Sequence, residues 1–170
     1  MEFLKAEAMF SPCRKYRYFL MRKWGSGNRI INWLLWNPSI ADSDQLDPTL
    51  TRCLKRSVEM GFDSMFVTNL FALVSTDPKG LKAVTDPVGC RNDDAILCAA
   101  ALADMTVCGW GANAAAVKRS ESIVEMLTKR RDLYALQLTR DGHPRHPLYV
   151  GYDQTPKLWI QKKGKINETT

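Results

Sequence analysis

Apolar residues along this chain gather into short runs separated by amphipathic stretches. Residues 30–36 (IINWLLW) are rich in β-branched and aromatic side chains, too short for a free-standing helix, and read as a buried strand. The run stops at Asn37-Pro38-Ser39, because proline cannot donate to a sheet ladder and holds the preceding residue extended. Asp47-Pro48 then pairs an N-cap acceptor with proline at the first helical position. From Thr49 to Met60 the apolar stripe Leu50, Cys53, Leu54, Val58 predicts a helix with Arg52, Lys55, Arg56 and Glu59 outward, ended by Gly61.

The same reading continues down the chain. Residues 64–70 (SMFVTNL) form a second strand, closing on Asn69. Asn92-Asp93-Asp94 caps a helix to about Ala103 that is apolar almost all round and therefore expected to be well buried. Residues 105–110 (MTVCGW) form a third strand, residues 113–129 a helix with inner stripe Val117, Ser120, Val124, Leu127, and residues 133–138 a fourth strand. Upstream, residues 15–24 suit a strand, and Gly25-Ser26-Gly27-Asn28 signals a hairpin pairing it antiparallel to residues 30–36. Residues 1–13 carry little pattern and read as a short helix or frayed start; the basic tail 153–170 reads as solvated.

Strands alternating with helices predict one α/β domain, with its core at about 14–152. The expected architecture is a three-layer α/β/α sandwich with a mostly parallel four-stranded sheet plus the N-terminal hairpin strand. Right-handed crossovers bring the carboxyl ends of those strands to one rim. Asn37, Asn69, Trp110-Gly111 and the loop 139–147 are expected to converge there, where α/β proteins place their ligands.

Composition narrows the function. Hydrophobic content of 45% and charged content of 25% are those of an ordinary globular protein. A net charge of +6 favours an anionic partner, nucleic acid or nucleotide. The five cysteines include no CxxC pair, so a zinc ribbon is unsupported and a reducing compartment fits. With no apolar run long enough to span a bilayer and no signal-peptide pattern, no membrane partner is expected and the cytoplasm is the expected location.

The candidate residues follow from the rim. Pro38 and Ser39 accompany Asn37 in a turn that suits ligand binding. Asp42 has no structural role in the sequence and is the preferred carboxylate for orienting a water or sugar hydroxyl; Asp47 is a structural cap or the alternative acid. A carboxamide at a buried strand end, Asn69, can read the edge of a base, with Phe71 stacking beneath it. Trp110-Gly111 offers a flat ring beside a flexible residue, and Arg145 suits a phosphate. His143 and His146 are the only histidines, set in HPRHP, where one can donate to charge developing on a leaving group. Their HxxH spacing admits a metal-dependent hydrolase as an alternative. The prolines forbid the helix that would aim both rings together and no further ligand is adjacent, so neither metal nor cofactor is expected.

RYFLMRKW, WNPSIADSDQLDPTLTRC, TNLFAL, DPVGCRND, GWGA and DGHPRHPLY occur in an order that resembles a bacterial and phage domain family of unknown function, over residues 16–150. That family is in turn similar to the uracil-DNA glycosylase superfamily: a strand ending in a motif such as G-x-N-P, a middle strand ending in asparagine, a late His-Pro loop. Here bulky residues in Leu35-Trp36-Asn37 take the place of the glycine before the first motif, Trp36 stands where an aliphatic residue is usual, and the loop reads HPRHP rather than HPSP. The resemblance implies that Asn37 positions water, Asn69 reads a base, and His143 or His146 stabilises the departing base anion. The expectation is a glycosylase-like enzyme cleaving an N-glycosidic bond in DNA or a nucleotide; a binding module without turnover is the alternative.

Overall fold

The structure, a computed structural model, describes residues 2–39, 46–75 and 84–163. The described residues form a mixed seven-stranded sheet and three α-helices. In chain order these are β1 (Lys5–Phe10), β2 (Arg17–Lys23), β3 (Ile30–Leu35), α1 (Pro48–Glu59), β4 (Ser64–Asn69) and α2 (Asn92–Leu102). There follow β5 (Met105–Cys108), α3 (Ala114–Thr128), β6 (Leu133–Ala135), a 3-10 turn (Pro147–Tyr149) and β7 (Lys157–Ile160).

Strand order is β1-β2-β4-β3-β5-β6-β7. The four predicted strands β4, β3, β5 and β6 are mutually parallel; β2 and β7 flank them antiparallel, and β1 pairs antiparallel with β2 at the edge. The sheet is thus larger than the sequence suggests. Residues 5–10 are an edge strand rather than a helix or frayed end, and residues 157–160 of the tail pair with β6 rather than floating in solvent. Both edge strands keep mostly exposed or half-buried side chains, so neither carries a core-facing alternation.

Residues 25–28 do not make a hairpin. β4 occupies the place beside β3, and β2 pairs with β4 instead, Leu20 opposite Val67. The loop closes around Asp63, whose carboxylate accepts from Gly27 N (3.1 Å) and Arg29 N (3.0 Å) while its carbonyl accepts from Gly25 N (3.0 Å). A Cβ on Gly25 or Gly27 would collide with Asp63, so these glycines answer to a close approach and not to a two-residue turn.

Side chains of β3 alternate between two core clusters, as the period of a strand requires. Ile31, Trp33 and Leu35 join Leu50, Cys53 and Leu54 of α1. Leu34 joins Ile96 and Ala100 of α2 and Ala116, Ile123 and Leu127 of α3. Trp33 Nε1 donates to Ser57 Oγ at 2.9 Å, tying α1 to the centre of the sheet.

Three helical expectations change. Arg56 is buried rather than outward: its guanidinium donates to Val150 O (2.8 Å), Gly151 O (2.6 Å) and Gln154 O (2.6 Å). Arg52 also donates to Val150 O, and the Tyr152 ring lies against Arg52, Lys55 and Arg56, so this basic face clamps the chain after the 3-10 turn. α2 buries only one side, leaving Leu102 62% exposed. α3 packs through Ala116, Ser120, Ile123 and Leu127, a stripe turned slightly from the expected one because Ile123 outweighs half-buried Val124.

Candidate functional site

From β3 the chain runs through α1 to β4 on one side and then through α2 to β5 on the other, so strand order reverses between β3 and β5. Such a reversal opens a crevice at the strands' carboxyl ends. Two neighbouring cavities lie there, one polar and one aromatic, sharing Trp36 and His146 in their walls.

The polar cavity, about 260 Å³, is lined by Arg17, Asn37, Ser39, Asp47, Asn69 and His146 among others. Hydrogen bonds continue past the ends of β3 and β4, from Leu70 N to Leu35 O and from Phe71 N to Trp36 O. Asn37 fixes the turn by donating Nδ2 to Ser75 O (2.7 Å) and Pro38 O (3.2 Å), while buried Pro38 accepts from Ser75 N. Asp47 caps α1 through Oδ1, which accepts from Leu50 N at 2.7 Å, and Ser39 Oγ donates to its Oδ2. Asn69 is 2% exposed; its carbonyl accepts from the Asn92 carboxamide, which fixes the end of β4.

His146 precedes the 3-10 turn and caps it, Nδ1 accepting from Leu148 N at 3.4 Å. With Nδ1 acting as acceptor, the neutral ring carries its proton on Nε2. Burial holds the imidazole below its ordinary value, and the charge of Asp47 opposes that shift. The turn docks on the end of β5 because Gly109 has no side chain: a Cβ there would meet Pro147 Cδ at 2.8 Å.

The aromatic cavity, about 430 Å³, is lined by Trp36, Trp110, Gly111, Ala112, Thr139, Arg145, His146 and Tyr149. Trp110 is buried, its ring 5.6 Å from that of Trp159 and edge-on to it, so β7 buttresses this wall. Gly111 adopts φ 80°, a left-handed conformation, and its amide donates to Pro144 O. Arg145 is exposed and anchored to Gln137 through its amide (2.8 Å) and its guanidinium (3.3 Å).

The rim therefore gathers Asn37, Ser39, Asp47, Asn69 and His146 in one cavity, and Trp110, Gly111, Arg145 and His146 in the next. His143 lines neither: it sits in the turn 139–143, exchanging bonds with Thr139. Phe71 is a core residue beside Leu34 and Leu70, not a wall of either cavity. Asp42 lies outside the described residues. Among the described residues no group of three or more His, Cys, Asp or Glu side chains could hold a metal, and no helix is long and apolar enough to cross a membrane.

Sequence reasoning names neither Arg17 nor Tyr149 as a site residue, and takes Trp36 only as a departure from the first motif, although it walls both cavities. Arg17 begins β2 and is 3% exposed; burial lowers its guanidinium to about 10, with Asp47 opposing, so it stays charged at neutral pH. Nothing in an alternating basic and aromatic stretch marks that one arginine as inward.

The fold and site define an α/β protein with a polar and an aromatic cavity side by side at the carboxyl rim of its parallel strands. A family model described as "Protein of unknown function (DUF1643)" matches residues 17–148, and the chain belongs to that family. No curated protein and no solved structure matches it.

Proposed function

We propose that the chain recognises a nucleobase at this rim and hydrolyses an N-glycosidic bond in DNA or a nucleotide. The observation that carries the reading is the meeting of His146, Asp47 and Asn69, from three separate segments, around one cavity. The finer architecture belongs to the same proposal. The division of the core between α1 on one side and α2 with α3 on the other supports a three-layer sandwich whose layout is similar to the uracil-DNA glycosylase superfamily.

Cleavage of a C–N glycosidic bond builds positive charge on the sugar and negative charge on the base. The Asp47 carboxylate answers the first and the His146 Nε2–H the second. The carboxylate takes the proton of an attacking water whose oxygen bonds to the anomeric carbon. The C–N electron pair leaves with the base, which departs as an anion held by Nε2–H and is then protonated by solvent. Asn69 offers a donor and an acceptor to the base edge. The +6 net charge favours a phosphate-bearing ligand.

The test is incubation with DNA carrying uracil or a modified base, followed by detection of abasic sites. Release by the wild-type protein that His146→Asn and Asp47→Asn both lose supports the reading; release unchanged in both variants overturns it.

A second reading, binding without turnover, is favoured by one observation. Asn37 Nδ2 and Asp47 Oδ1 are already committed to Ser75 O, Pro38 O and Leu50 N. It predicts salt-sensitive binding with no base release.

A further inference from the structure

Tyr149 is 68% exposed although Pro147 and Val150 on either side of it are buried. Pro147 is buried against Gly109, and Val150 is buried with its carbonyl bonded by Arg52 and Arg56. The Tyr149 amide donates to His146 O at 3.0 Å, and its ring lies 5.9 Å from the His146 imidazole at a 52° tilt. A large aromatic side chain left in solvent on a fixed backbone, at the mouth of a cavity walled by Trp36 and Trp110, is suited to stacking a planar group. Exposed Arg145 lines the same cavity and supplies a cation for a phosphate. At about 430 Å³ the cavity falls in the range of about 300–1,000 Å³ typical of small-ligand sites.

We propose that this aromatic cavity is a second ring-binding subsite, with Tyr149 as its outer stacking face and Arg145 meeting the linking phosphate. The ligand is therefore a single-stranded nucleic-acid segment of at least two linked nucleotides, and not a free nucleoside or mononucleotide. The inference rests on the reading of the polar cavity as the seat of the first base. Trp36 and His146 belong to both walls, so adjoining rings of one strand can occupy the two cavities together. A cation and aromatic faces meet here, the combination that single-strand binding uses.

The test compares binding of deoxyuridine monophosphate and of a short single-stranded deoxyuridine oligonucleotide to wild type, Tyr149→Ala and Tyr149→Phe, at one salt concentration. Tryptophan fluorescence and anisotropy give the readout. Because Tyr149 is exposed, all three proteins should melt alike. The expected result is that the oligonucleotide binds more tightly than the monophosphate. Tyr149→Ala then weakens only the oligonucleotide, by roughly tenfold, and Tyr149→Phe retains the gain. Equal weakening of both ligands, or none, overturns the subsite. If base release occurs while Tyr149→Ala binds like wild type, the subsite fails and the catalytic reading stands. If the Tyr149-dependent gain persists without base release, the subsite stands and the catalytic reading fails.

Discussion

Asp47 and His146 reach the polar cavity in the same way, each as the residue that caps the helical turn following it. Asp47 Oδ1 accepts from Leu50 N at the start of α1, and His146 Nδ1 accepts from Leu148 N at the start of the 3-10 turn. Each cap spends one polar atom on the backbone and fixes where the other lies. For Asp47 that other oxygen takes the Ser39 hydroxyl; for His146 it is the ring N–H.

Stability and charge can be separated at Asp47. Asparagine caps helices about as well as aspartate, so Asp47→Asn should unfold within a few tenths of a kcal/mol of wild type, while Asp47→Ala should lose about 1 kcal/mol. Urea denaturation measures both. Equal losses would show that the carboxylate charge, and not the cap, holds α1 in place.

The half-buried His146 ring makes stability depend on pH. Its value in the folded protein lies below the ordinary 6.5 because burial disfavours the charged form. The unfolded chain therefore takes up its proton first as the pH falls. This contribution is constant above that ordinary value, declines as the pH drops from there through the folded value, and levels off below it. The denaturation midpoint of wild type should decline over that window, and that of His146→Gln should decline less. Parallel profiles for the two proteins would contradict the half-buried, neutral imidazole.

Arg56 links α1 to the stretch that carries Tyr149. Arg56→Met leaves Gly151 O and Gln154 O without the guanidinium, while Val150 O keeps Arg52, and should cost at least about 3 kcal/mol, at about 1.5–3 kcal/mol for each charged hydrogen bond. Hydrogen exchange should show residues 148–154 opening first. A loss below about 0.5 kcal/mol would mean that water satisfies these carbonyls as well as the guanidinium does.

Asp63 holds the glycine loop between β2 and β3. Asp63→Ala strips the acceptors from Gly27 N and Arg29 N and should destabilise by about 1–3 kcal/mol, read by thermal melting. An unchanged melting temperature would show that the loop closes without it.

What the sequence made legible was the part whose physics is local or strongly patterned. The buried runs of β3, β4 and β5 stand out because strands covered by apolar side chains on both faces are nearly continuous in hydrophobicity, and Asp47-Pro48 announces α1. Parallel order then brought Asn37, Asn69 and His146 to one rim. The rest depended on distant partners. β1 and β7 exist because β2 and β6 offer open edges, and their own residues carry no signal. Gly25 to Asn28 looks like a hairpin until Asp63, far along the chain, fills it. Arg17 and Arg56 turn inward because carbonyls, a carboxylate or a cavity await them, which a helical or strand period cannot reveal. HPRHP presents two equivalent histidines, and only the docking of Pro147 on Gly109 sets His146 apart from His143.

That distinction gives the most direct test. Abasic-site formation on uracil- or modified-base DNA should be measured side by side for wild type, His143→Ala and His146→Asn. The account predicts release by wild type and His143→Ala at similar rates and a loss of roughly a hundredfold in His146→Asn. Release that survives in His146→Asn but disappears in His143→Ala, or none from the wild-type protein on any such substrate, would contradict it.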